Sequence, residues 1–296
     1  MLGNGQHWWH WKQLQQDAAN RLCFAENDGI PVERRVFGTE QDALRPSFIQ
    51  PIRCRQVLIE GITVSDGPQW TLHPVYSENV IIRGVHVITN GHNTDGLNPD
   101  SCRNVLIEDS IFETGDDCIA INSGMNEDGW RVNKPCENIV IRNCTMKEGH
   151  GGLVIGSGMS GGVRNIYAHN CKIAGGDRGI RIKSMRGRGG YIEDVWFENI
   201  EIRDVREEAV QINMFYEYST VVPRTDTPAA SARALGMRSM DTVPYLLDKS
   251  LCIGGWTRIV SKYEIRIDTH IEVFITKVSL HYDGLNELFQ KEHSFF

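Results

Sequence analysis

Six segments of this chain echo one another, and a repeat limits the possible folds more than any single motif can. They read QVLIEGITV from Gln56, NVIIRGVHV from Asn79, NVLIEDSIF from Asn104, NIVIRNCTM from Asn138, NIYAHNCKI from Asn165 and DVWFENIEI from Asp194. Their second residues, Val57, Val80, Val105, Ile139, Ile166 and Val195, lie 23, 25, 34, 27 and 29 positions apart. A near-constant step whose excess falls between the repeats is the mark of a solenoid, where insertions enter turns.

The phase inside each repeat agrees. Four positions after each anchor stand Gly61, Gly84, Asp109, Asn143, Asn170 and Asn199, all residues that tolerate turns. Five and seven positions after it come mostly apolar side chains, such as Val85 and Val87 or Ile200 and Ile202. That alternation has the period of a half-buried strand, and helical spacing is missing from this stretch. The pattern predicts an all-β parallel β-helix over residues 1–216, each coil stacked on the next about 4.8 Å away. Cys144 and Cys171 then stack as inert core thiols. Residues 7–24 read as a helix or a loop opening the solenoid. The repeat is expected to stop after Tyr216, with 221–236 a loop and 259–280 two or three antiparallel strands. Those strands either continue the coils or cover an end, and some cover is needed, because a bare solenoid end exposes core and strand edges.

Composition excludes some functions. The net charge is −7, which argues against nucleic acid or an anionic membrane as partner. No apolar run approaches the roughly 18 residues of a membrane span. The opening MLGNGQHWWHWKQLQQ has no apolar signal core, so no export signal is expected in the chain as written. Eight Cys stand without the close pairs of a zinc site.

Several polar residues interrupt the apolar runs at comparable phases. Asp95 and Arg181 lie 15 positions after their anchors, Asp116 and His150 lie 11 after theirs, and Asp117 lies 12 after. A β-helix places such positions side by side, so NTDG, GDD, GHGG and GIRIK are expected on one face near one corner. Singly each is an ordinary polar turn or strand; together they gather three carboxylates, an imidazole and two cations. Crowded carboxylates raise the pKa of one of them, which supplies a proton donor beside ionised neighbours. Glycoside hydrolysis needs that division of labour. Five basic residues and no acidic one lie between Arg178 and Arg188 in an otherwise acidic chain. Arg181 and Lys183 are the members expected nearest the site, placed to bind a substrate carboxylate.

With NTDG (Asn93–Gly96), GDDCIAINSG (Gly115–Gly124), GHGGLVIGS (Gly149–Ser157) and RIK (Arg181–Lys183) in this order, residues 3–216 resemble the polygalacturonases of glycoside hydrolase family 28. LRPSFI and WTLHPVYSENV flank the likeness, and the bacterial and plant-like branch is the most similar. The resemblance implies a right-handed, single-stranded, pectin-lyase-like β-helix that hydrolyses α-1,4-linked galacturonate of pectin, polygalacturonate or oligogalacturonides with inversion. It implies Asp116 as general acid, with Asp95 and Asp117 holding and activating the water across a gap of roughly 6.5–9.5 Å. His150 would tune or orient the acid. Arg181 and Lys183 would bind a galacturonate carboxylate, with Asn93 and Tyr216 lining subsites. No metal or organic cofactor, no nucleic acid, no membrane and a monomeric state are implied. Members usually act in the periplasm or outside the cell, and begin upstream of where this chain opens. The expectation is therefore a β-helix with N-terminal coils missing, plus an atypical β-rich segment at 217–296. Asn122 departs from the Lys of many bacterial members.

Two alternatives stand beside this reading: another pectin-active β-helix enzyme, either a lyase or a rhamnogalacturonan hydrolase, or a non-catalytic, defective, truncated β-helix. GSGMSG (Gly156–Gly161) spells a dinucleotide fingerprint, but the β repeat follows it where a helix would be needed. RGRGG (Arg186–Gly190) reads as a turn, and the NCT at Asn143 falls in a coil turn.

Overall fold

The computed structural model describes residues 1–185, 187–213 and 216, and beyond them the strand backbones of Ser231–Arg238, Leu251–Gly254, Ile259–Val260, Tyr263–Asp268 and Glu272–Tyr282. The chain winds as a right-handed parallel β-helix. Its long sheet runs through Arg55–Glu60, Glu78–Arg83, Arg103–Glu108, Cys136–Arg142, Val163–Ala174 and Tyr191–Arg203, each parallel to the next. The six anchors are register partners: Val57 pairs Val80, then Val105, Ile139, Ile166 and Val195. From Val80 onward each is buried, and the column forms one wall of a single core. Cys144 and Cys171 are buried free thiols of that core.

The residues flanking each anchor explain why the repeat keeps this phase. All six turn positions, from Gly61 to Asn199, take a positive φ between 51° and 65°. The polar residues preceding the anchors do the same, with φ of 51–58° at Gln56, Asn79, Asn104, Asn138, Asn165 and Asp194. Asn and Asp enter this left-handed region more readily than other side chains do. Stacking then links the asparagines: Asn104 Nδ2 donates to Asn79 Oδ1 at 3.0 Å, Asn138 to Asn104 at 3.0 Å and Asn165 to Asn138 at 2.7 Å. A second column repeats the device, with Asn143 donating to Asp109 at 3.1 Å and Asn199 to Asn170 at 2.7 Å. Charges alternate down the outer face as well. Arg83 bridges Glu60 and Glu108, and Arg142 reaches Glu108 from the next coil.

Residues before Arg55 open the solenoid with short helices at Gln6–Trp9, Trp11–Leu14 and Gln16–Phe24. Among the described residues no helix is long and apolar enough to cross a membrane. Parallel pairing continues at the backbone beyond Tyr216, where the repeat was expected to stop. Ser231–Arg238 runs parallel to Tyr191–Arg203, and Leu251–Gly254 runs parallel to Val210–Asn213. Positions 231–236, expected as loop, are therefore strand; 221–230 lie outside the described residues. Main-chain bonding to an open strand edge makes this pairing, and the side-chain pattern of 231–238 does not announce it. Tyr263–Asp268 and Glu272–Tyr282 pair antiparallel.

Asn138→Ala removes both ladder bonds and places a Cβ-bearing residue without a polar side chain at φ 57°. The expected loss is about 2 kcal/mol, with Asn138→Gly losing about half as much because its backbone is unstrained. Urea unfolding of the two variants beside the parent checks the order.

Candidate active site

A second, shorter sheet carries the polar residues. It stacks Ile119–Ile121, Leu153–Ile155, Ile180–Lys183 and Val210–Asn213, and bridges at Leu72, Leu97 and Ile119 extend its register toward the N-terminus. Leu72, Leu97, Ile119, Leu153 and Ile180 point into the core, so the residue that follows each of them, Arg181 after Ile180 for example, lies on the opposite face of the sheet. Since Leu97 pairs with Ile119, Asp95 and Asp117 occupy equivalent places in adjacent coils, joined by Gly96 N donating to Asp117 O at 3.0 Å. Since Ile119 pairs with Leu153, Asp116 and His150 are likewise neighbours, and His150 N donates to Asp116 O at 3.2 Å. Small residues keep the wall open. A Cβ at Gly151 would meet Val154 at 2.6 Å and stand 3.1 Å from Asp117 Oδ1.

One oxygen from each of Asp95, Asp116 and Asp117 lies within 4.8 Å of the other two. This is tighter than the gap expected of an inverting pair, and the coil spacing explains it. Two of the aspartates are adjacent in sequence, and the third is one coil away. Each carboxylate has a different partner. Asp117 is almost fully buried, with Lys183 Nζ 2.6 Å from Oδ2. Its Oδ1 makes no hydrogen bond to the protein, and Arg181 Nη1 stands off at 3.8 Å. Asp95 Oδ2 accepts from Asn98 Nδ2 at 2.8 Å. Asp116 is the most exposed of the three; His150 Nδ1 lies 3.2 Å from its Oδ1, and Asn93 Nδ2 donates to its Oδ2 at 3.3 Å.

These surroundings separate the proton affinities. Burial, then the charges of Asp116 and Asp117, push the Asp95 carboxyl well above its ordinary 3.8. Burial also pushes Asp116 up, but the hydrogen bond and charge of His150, with Lys183 behind them, outweigh it and hold Asp116 low. His150 is raised in turn by its bond to Asp116. Burial alone would lower Lys183, yet Asp117 and Tyr216 keep it above the usual lysine range. The carboxyl whose proton affinity is raised, by burial first and then by crowding, is thus Asp95. The sequence reading joined crowding to Asp116 as the acid, and adjacency in sequence carries no information on the imidazole that relieves Asp116. Three close carboxylates can hold a divalent cation by donor type. Here the Lys183 ammonium already supplies positive charge on the Asp117 side.

Every expected site residue lies on this wall, with a division of labour the sequence did not show. Lys183 is committed to Asp117, whereas Arg181 donates from Nε to Gln211 Oε1 at 3.1 Å and holds Nη1 3.8 Å from Asp117 Oδ1, beyond bonding reach. The Tyr216 ring lies under both cations, 5.3 Å from the Arg181 guanidinium and 5.0 Å from Lys183 Nζ. The rest of the basic stretch turns away. Arg178 pairs with Glu207 and Glu208, Arg188 is buried and donates to Asn126, and Arg186 lies outside the described residues. Asn122 is buried and donates to Ala120 O at 3.1 Å. Sequence reasoning missed Arg45 and Asn98. Arg45 crosses from the first coil to hold Asn93 Oδ1 at 2.8 Å, and only its place in LRPSFI hinted at a role.

Comparison with known proteins gives a consistent result. The model of glycosyl hydrolases family 28 matches residues 36–232. A probable polygalacturonase of Vitis vinifera is 35% identical over 176 residues, covering 58% of this chain and 36% of its own length. An exo-poly-alpha-D-galacturonosidase of Dickeya chrysanthemi is 29% identical over 200 residues, covering 67% of this chain and 32% of its own. The crystal structure of a hyperthermoactive exopolygalacturonase from Thermotoga maritima superposes with a TM-score of 0.70 at 32% identity, covering 94% of this chain and 70% of that one. The chain thus spans about a third of the length of these two curated relatives.

The raised Asp95 carboxyl makes a stability prediction. A group whose folded pKa lies above its unfolded value favours the fold at low pH, and that contribution is lost as pH rises through the folded pKa. Asp95→Asn removes a carboxyl whose ionisation burial, Asp116 and Asp117 oppose and Asn98 and Lys183 only partly favour. The variant should therefore melt higher than the parent at neutral pH, and the difference should close below about pH 4, where Asp95 is protonated in both states. Melting curves followed by circular dichroism across that range test the sign.

Proposed function

The chain belongs to glycosyl hydrolases family 28, and we propose that it hydrolyses the α-1,4-galacturonosyl linkages of polygalacturonate or its oligomers. The observation carrying this reading is the trio Asp95, Asp116 and Asp117 held in one wall with His150 at its mouth and Arg181 beside it. Asp116, the most exposed carboxylate, is placed to protonate the leaving glycosidic oxygen. Its proton comes from His150, whose Nδ1 lies 3.2 Å away and whose proton affinity the bond to Asp116 raises. A substrate covering the pair excludes water and favours the neutral arrangement, with the proton on Asp116. Asp117 Oδ1, free of protein hydrogen bonds, is positioned to take a proton from the attacking water, and Asp95 orients that water. The water oxygen bonds to the anomeric carbon as the bond to the leaving oxygen breaks. Arg181 binds the carboxylate of a uronate unit, Lys183 steadies Asp117, and Asn93 and Tyr216 line the flanking positions.

A carboxylate acting as nucleophile would need a free oxygen aimed at the sugar without room for water. The short separation of the trio makes stereochemistry the measurement that decides. Proton NMR of early product should show the β anomer, the outcome of inversion; the α anomer first would overturn this mechanism.

Reducing-sugar release from polygalacturonate should fall by at least about 100-fold in Asp116→Asn. Equal inertness of parent and variant, both folded, would sink the hydrolase reading. An ultraviolet-absorbing product would mark a lyase instead. Because His150 must carry the proton, the parent's activity should fall as pH rises through a value above 6.5. In His150→Ala that limb should move to lower pH and kcat should drop, since Asp116 must then hold its own proton.

A further inference from the structure

Residues 9–35 tie together two sets of loops that flank the short sheet. At the near end Trp9 Nε1 donates to Gly67 O at 3.0 Å, and a Cβ at Gly91 would fall 2.2 Å from the Trp9 ring, so only glycine leaves the indole its place. Gln15 Oε1 accepts from Arg45 Nε at 3.1 Å, and Arg45 in turn donates to His92 O at 2.6 Å. Gly67, Gly91 and His92 come before Leu72 and Leu97 in their coils. At the far end Arg35 pairs with Glu26 and, at 2.6 Å, with Asp128. Arg131 reaches Glu26 at 3.0 Å, and Cys23 Sγ lies 3.5 Å from Met125 Sδ. Met125, Asp128 and Arg131 come after Ile119–Ile121.

Burial tells which way the segment crosses. Over the end of the first coil it would cover the core there, yet Val57 and Ile59 are only partly buried while Val80 and Ile82, stacked on them, are fully buried. His73 and Asn98 lie on the outer face of the short sheet and are nonetheless 9% and 0% exposed. The helix Gln16–Phe24 buries Ala18, and Ala25 seven positions on, while Leu14, Leu22 and Phe24 stay exposed. At nine residues it spans about 13 Å, enough to cross strands of three or four residues. The segment therefore lies as a strap over the coils of Leu72 and Leu97.

We propose that this strap closes the groove on the N-terminal side of the aspartates and makes the protein cut only near the end of a galacturonan chain. Substrate enters from the side of His150, whose side chain is half exposed. A sugar unit is about as long as one coil step, about 4.8 Å, so the strap leaves room for only about one or two units beyond the cleaved bond. The clamps at Trp9 and Arg35, outside the catalytic wall, then set the product length.

This inference rests on the galacturonide reading above, and its test separates the two. Polygalacturonate is digested with the parent protein, early products are sized by anion-exchange chromatography, and viscosity is followed alongside. Release of mono- or digalacturonate alone, with viscosity held, is the expected result. An early ladder of longer oligomers with a collapse in viscosity overturns the closed end. Trp9→Ala combined with Arg35→Ala frees both clamps and leaves the aspartates untouched. Thermal melts establish that the variant is folded, and Arg35→Ala alone serves where the double variant is not. The freed protein should still hydrolyse trigalacturonate but yield longer oligomers from polygalacturonate, with viscosity lost after far fewer cuts. Arg35→Lys, which can hold only one of the two carboxylates, should lie between parent and freed protein. A folded variant that keeps the parent's short product overturns the strap as the closing device. A parent that releases no sugar from any galacturonide overturns the hydrolase reading, and the role of the strap with it.

Discussion

In-register stacking of coils is the constraint on which this structure depends. Parallel pairing fixes neighbouring strands about 4.8 Å apart, so any side chain meets its equivalents one coil above and below. Inside, this produces a column of branched apolar residues from Val80 to Val195. At the bends it produces asparagine ladders, in which each amide donates to the one before. At one corner it brings Asp95, Asp117, Asp116 and His150 from separate motifs into mutual contact. The same spacing serves the core and crowds the carboxylates.

Crowding would be ruinous without differentiated surroundings. Asp117 has an ammonium, Asp116 an imidazole, and Asp95 only an amide and burial. Three chemically identical groups therefore differ in proton affinity, with Asp95 driven up and Asp116 held down. The arrangement places strain at the site and support elsewhere, in the buried core and the alternating charges of the outer face. Such trade-offs are expected where a functional site departs from what stability alone would choose.

Much of the fold was legible because its determinants are local and repeated. The anchors, the turn residues four positions on and the strand alternation each recur six times, and each recurrence reports the same backbone geometry. That these polar residues gather at one corner was legible for the same reason, since equal phase in a solenoid means proximity in space. Pairing beyond Tyr216 was not, because Ser231–Arg238 joins an open edge through backbone groups common to every residue. Nor were Arg45 and Asn98, whose roles arise from a reach across coils and from a single amide hydrogen bond.

The sequence by itself determined that the chain coils, where each coil bends, and which charged residues share a face. Only the tertiary structure decided which carboxyl gains proton affinity and which loses it, which cation is committed to Asp117 and which buried polar atoms remain without partners. The physical reason is one of range. Periodicity and turn preference act between near neighbours and survive in the order of residues, whereas proton affinity depends on burial and on charges a few ångströms away through space.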